Sequence, residues 1–109
     1  MNWKRTHMCG ALRKSDVGRE VVLCGWVNRR RDHGGLTFVD VRDRYGLTQV
    51  VADAASGGAV SAGRELRSEY VIAVRGIVQA RPDEMANRDL ATGEIEIAAT
   101  EITVLSTSK

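Results

Sequence analysis

The apolar residues of this chain fall in short runs rich in Val, Ile and Leu, separated by Gly and Asp. Runs of that length and β-branched content form strands, so the chain must fold as a small β-sheet protein. Glu20 to Arg31 reads as a long first strand, with Gly25 in its middle, where a sharp bend or bulge would let a small barrel close. Asp32-His33-Gly34-Gly35 makes a turn, Leu36 to Asp43 a second strand, Arg44-Tyr45-Gly46 a hairpin, and Leu47 to Ala52 a third strand. After the turn-like Ser56-Gly57-Gly58, apolar residues between Ala59 and Leu66 recur near helical spacing and predict one short helix, weakened by Gly63. Tyr70 to Ala80 predicts a fourth strand. A polar loop runs from Arg81 through Thr92-Gly93, and Glu94 to Leu105 predicts a fifth strand with a break near Ala99-Thr100. Upstream, a helical turn is expected to begin near Ser15.

The order β-β-β-α-β-β, with the helix between strands three and four, is that of an all-β, five-stranded OB-fold barrel. A small SH3-like barrel is the chief rival, but it does not normally want a helix at that place. With 109 residues the chain fits a single domain, residues 1–109, with one modest core and little room for a deep catalytic cleft. Its 43% hydrophobic and 28% charged residues are those of a soluble globular protein.

Charge is unevenly spread. Residues 1–50 hold ten Lys and Arg against five Asp and Glu, a balance of +5, while residues 51–109 hold six against nine, a balance of −3. The basic half places Arg29-Arg30-Arg31 at the end of its first apolar run, which suits either a polyanionic partner or a solvated basic loop. Cys9 and Cys24 have no CxxC spacing, and with His7 and His33 they match no recognised zinc pattern, so reduced thiols and no metal are expected. No segment approaches the length needed to cross a bilayer, and no apolar run follows the first five residues; both point to a cytoplasmic protein with no membrane partner.

Strand two carries the functional signal. Side chains alternate faces, so Thr37, Val39 and Val41 share one side and Leu36, Phe38, Asp40 and Arg42 the other. With the valines in the core, the only Phe in the chain lies on a polar face. A nucleobase can stack on such a ring; the same ring would simply pack if strand two were buried on both sides. The arginines leaving strand one fall near Phe38 across the turn, and Gln49 on strand three can offer an amide to a base edge. A ring, a guanidinium cluster and an amide on neighbouring strands suit a single-strand binder, whose ligand an OB-fold conventionally takes across strands two and three. Glu96, on the face opposite Ile95 and Ile97, could accept hydrogen bonds from a guanine or merely face solvent. Arg81 could contact a base or phosphate or be an ordinary loop residue. No catalytic constellation is visible: His7 and His33 lack a nucleophile or carboxylate partner, and Asp40 and Asp43 point to opposite faces.

The runs Cys24-Gly25-Trp26-Val27-Asn28-Arg29-Arg30-Arg31-Asp32, Phe38-Val39-Asp40-Val41-Arg42-Asp43-Arg44, Leu47-Thr48-Gln49-Val50, Glu65-Leu66-Arg67 and Ala91-Thr92-Gly93-Glu94-Ile95-Glu96 resemble, in order, the N-terminal anticodon-binding domain of bacterial-type aspartyl-tRNA synthetases. The resemblance runs from about Thr6 to Leu105. It implies tRNA(Asp) as partner through its anticodon loop and leaves tRNA(Asn) open as a second. Phe38 matches the ring that stacks on the middle anticodon base. Arg31 and Gln49 match groups that bond that base, with Arg29 in the same basic run. Glu96 matches the carboxylate that reads the first-position guanine, and Arg81 matches a contact at the third base. His33 and Met85 stand where some relatives carry leucine and asparagine, which implies that His33 and the loop after Arg81 tune the choice between C and U at the third base. The resemblance further implies a class II catalytic domain, with its ATP and Mg, outside these residues. The chain alone is then expected to hold no cofactor and form no aspartyl-tRNA, and to be a monomer although the whole enzyme is a homodimer.

Overall fold

The computed structural model describes residues 6–7, 9–33, 36–44, 46–52, 69–81 and 92–106. Its elements are a 3-10 turn at Lys14–Asp16 and five strands: β1 (Glu20–His33), β2 (Leu36–Asp43), β3 (Gly46–Ala52), β4 (Val71–Ala80) and β5 (Ile95–Ser106). The strands close into a barrel in the order β1-β2-β3-β5-β4, with β4 returning to β1. All neighbours run antiparallel except β3 and β5, whose parallel pairing at Val50↔Ile97 and Val51↔Ala98 closes the ring. The expected strands are thus all present, and the barrel is the OB-fold that their order implied. The short helix expected over residues 59–66 lies outside the described residues. The upstream turn forms where Ser15 signalled it, with Asp16 Oδ2 accepting from the Arg13 N–H at 2.9 Å.

Alternation along β2 is strict. Thr37, Val39, Val41 and Asp43 are buried, whereas Leu36, Phe38 and Asp40 are half-buried and Arg42 exposed. The inward valines join Val21, Leu23, Val27, Val50, Ile72, Val74, Val78, Ile95 and Ile97 in one core, to which the segment before β1 adds Cys9 and Leu12. That segment is tied down by polar bonds. Asp43, buried at the end of β2, accepts from the Cys9 N–H at 2.9 Å and from the Gly46 N–H at 3.1 Å, and the Thr48 hydroxyl donates to the Cys9 carbonyl. A buried carboxylate is tolerated there because backbone donors replace the water it lost.

Two details refine the sequence reading. Gly25, expected at a bend or bulge, is not bulged; it pairs with Ile72 just before β1 passes from β4 to β2, and a Cβ there would lie 2.4 Å from the Arg42 carbonyl oxygen. Only a residue without a side chain lets the two backbones approach so closely. The bulge lies further on, between Val27 and Arg29, so that Asn28 is the unpaired extra residue. The break expected near Ala99-Thr100 is a second bulge: Arg75 faces Glu101 while Gly76 faces Ala99, leaving Thr100 unpaired.

Candidate nucleic-acid interface

The bulge at Asn28 decides which arginines meet Phe38. Val27 points into the core, so uninterrupted alternation would turn Arg29 and Arg31 inward and Arg30 outward. The extra residue reverses this. Arg29 now pairs with Asp40 and Arg31 with Phe38, all four on the outer face, while Arg30 pairs with the buried Val39 and bridges Asp32 at 3.3 Å. The arginine run is therefore split, with two residues beside the ring and one turned away from it. His33 pairs with Leu36 at the last rung of the same ladder; its side chain lies outside the described residues.

The outer face is wired across all five strands. Arg31 holds its guanidinium carbon 5.5 Å from the centre of the Phe38 ring, within cation–π range, so ring and charge form one site. From there Arg31 Nη2 donates to Gln49 Oε1 at 3.0 Å, and Gln49 Nε2 donates to Glu96 Oε1 at 3.0 Å. Glu96 Oε2 accepts from Gln79 Nε2 at 2.6 Å, across the β4–β5 ladder where the two residues are register partners. Gln49 and Glu96 are only 7% and 8% exposed, so their mutual bonds are what make burial tolerable. Each still has acceptor or donor capacity left. Gln49 keeps one N–H and one lone pair beyond these bonds, and a carboxylate can accept about four bonds in all.

Arg81, half-buried just past β4, is anchored through Nε to the Ile95 carbonyl at 2.9 Å. Burial pushes its guanidinium below the ordinary value; Glu96 and Asp40 pull it back up and Arg31 pushes it further down. It stays charged at any working pH. These influences gather Arg81, Glu96, Asp40 and Arg31 into one electrostatic neighbourhood. The expected site residues Arg31, Phe38, Gln49, Arg81 and Glu96 thus come together, with Arg29 exposed on the adjoining rung and Glu94 left exposed in the turn before β5. The rest of the loop after Arg81, residues 82–91, lies outside the described residues, and Met85 with it. Sequence reasoning missed Gln79 and Asp40. Asp40 was visible on the outer face of β2, but nothing local marked Gln79 as a site residue, because its pairing with Glu96 depends on the bulge at Thr100.

A half-exposed ring beside a guanidinium, with amides and a carboxylate aligned across strands β1, β2, β3, β5 and β4, has the chemistry suited to holding unpaired nucleotides on an OB-fold. The family of OB-fold nucleic acid binding domains matches residues 21–105, and the chain belongs to it. Among its relatives are the aspartate–tRNA(Asp/Asn) ligase of Desulfotalea psychrophila, 55% identical over 107 residues, and that of Sinorhizobium medicae, 57% identical over 109. The alignments take in 97% and 100% of this chain but 18% of each ligase, so the chain spans just under a fifth of the relatives' length. Among solved structures, the OBody AM2EP06 bound to hen egg-white lysozyme superposes with a TM-score of 0.85 at 29% identity and 99% coverage of both chains. The aspartyl-tRNA synthetase of Entamoeba histolytica, with a TM-score of 0.82 over 97% of this chain and 22% of its own, is 21% identical and shows the fold alone.

Proposed function

We propose that the outer face binds the anticodon loop of a tRNA, as the N-terminal module of an aspartate–tRNA ligase whose catalytic part presents the acceptor end to ATP-activated aspartate. The observation that carries this reading is the continuous chain Phe38–Arg31–Gln49–Glu96, held together by its own side-chain contacts. Such preorganisation lowers the ordering cost of binding. In this reading the middle base lies against Phe38, with Arg31 and the spare capacity of Gln49 at its edge. Glu96 takes the first-position guanine. The free end of Arg81 and the His33 side chain reach the third base, and Arg29 meets the backbone. The relatives' names carry both tRNA(Asp) and tRNA(Asn), and a histidine, which can donate or accept, would tolerate both C and U at that base. ATP and Mg would serve the catalytic part and not this barrel. The ligase is proposed to be a cytoplasmic homodimer and the isolated module a monomer. Among the described residues no helix is long and apolar enough to cross a membrane, and no cluster of side chains could hold a metal.

The test is a titration with anticodon stem-loops carrying GUC, GUU and a scrambled triplet, at two salt concentrations. Tight, salt-dependent binding of GUC and GUU with weaker binding of the scrambled loop is expected. Equal binding of all three would make the domain a sequence-tolerant single-strand binder instead, and no salt-dependent binding would remove RNA as its ligand.

A further inference from the structure

Glu96 is held by two amides, one on each oxygen. Gln49 donates to Oε1 from β3 and Gln79 to Oε2 from β4. A carboxylate oxygen has two lone pairs, so each oxygen keeps one. Two protein bonds on the outer lone pairs would leave two parallel acceptors side by side. Among the four RNA bases only guanine offers two adjacent donors, its ring N–H and exocyclic amino group, on the edge used for pairing. Adenine and cytosine set a donor beside an acceptor there, and uracil has a single donor between two acceptors.

We infer that Gln79 is a positioning residue for base identity: it fixes the plane of Glu96 so that the carboxylate presents both remaining acceptors to one guanine. This rests on the reading of Glu96 as the guanine contact. Three features support the added role. The Gln79–Glu96 bond, at 2.6 Å, is the shortest polar contact in the outer-face chain. Gln79 is otherwise exposed, so the bond is not forced by burial of its own amide. The two residues face each other because the Thr100 bulge shifts the β4–β5 register by one; unshifted, Gln79 would oppose Ile97 and Glu96 would turn to the core side.

The experiment compares stem-loops with guanosine or inosine at the first anticodon position, inosine lacking only the exocyclic amino group. They are titrated against the 109-residue chain and its Gln79→Leu, Gln79→Arg and Glu96→Ala variants. The parent should favour guanosine by about tenfold or more, the worth of one hydrogen bond to a charged group. Glu96→Ala should bring the ratio near one. Gln79→Leu should reduce it to within about threefold of one, and Gln79→Arg, which keeps an N–H donor for Oε2, should restore most of it. General damage to the barrel would weaken both loops together and leave the ratio unmoved. If Glu96→Ala collapses the ratio but Gln79→Leu retains it, the positioning role is wrong while the guanine contact stands. If Glu96→Ala leaves the ratio intact, the guanine contact itself falls, and the role of Gln79 with it.

Discussion

Replacing Phe38 by alanine separates stacking from charge. The ring is half-buried and lies 5.5 Å from the Arg31 guanidinium carbon, so its loss acts on both binding and stability. A base stacked on an aromatic side chain is worth about 1–3 kcal/mol, so affinity for a GUC stem-loop should fall by roughly 5- to 150-fold. Complete removal of a fully buried Phe costs about 3–5 kcal/mol, and a half-buried ring should cost about 2 kcal/mol. In a domain of this size that lowers Tm by about 10 °C, which leaves the variant folded at 25 °C. Because Phe carries no charge and Arg31 keeps its bond to Gln49, the slope of log Kd against log salt should not change. Fluorescence anisotropy at several salt concentrations, with thermal melts alongside, reads all three quantities. Phe38→Trp should retain affinity and Phe38→Leu should not, since leucine restores apolar bulk without a π face. A Phe38→Ala variant that melts as expected yet binds the loop as tightly as the parent would refute the stacking platform.

Other perturbations bear on other parts of the barrel. Arg31→Ala should weaken binding to every RNA and flatten the salt slope by about one unit if it meets a phosphate, whereas an unaltered slope in the same titrations would assign it to a base. Gly25→Ala drives a methyl group against a backbone carbonyl and should destabilise by about 1–3 kcal/mol in urea unfolding, with little change in the RNA affinity of the folded fraction. The folded state disfavours the charge of Arg81, since burial sets its guanidinium below the unfolded value; that penalty is constant over all ordinary pH and fades only in strong alkali. Arg81→Gln should therefore weaken stem-loop binding while Tm stays level or rises slightly. His33→Leu should change the ratio of GUC to GUU affinity, and an identical ratio would remove His33 from third-base discrimination.

The two-residue period of β2 was enough to put Phe38 outside and Val39 and Val41 inside, and the strand runs over the same eight residues, Leu36–Asp43, that the pattern marked. Gly-rich punctuation located the other strands to within a residue or two, because turns have local chemical requirements. Register is different, since it is settled between strands. Nothing local marks Asn28 as the residue left unpaired, yet that choice selects Arg29 and Arg31 over Arg30 for the binding face. The bulge at Thr100 likewise selects Gln79 as the partner of Glu96. The candidate residues on β2, β3 and β5 were therefore legible from alternation and resemblance. The split of the arginine run and the role of Gln79 were not, because each follows from a one-residue slip that the barrel imposes as a whole.

The alternation in β2 also divides the mutational landscape of the domain. Positions 37, 39 and 41 govern whether a barrel exists, and positions 36, 38, 40 and 42 govern what it touches. Because neighbours along one strand serve these separate ends, new ligand preferences can arise by exchanging every second side chain while the inward residues keep the scaffold.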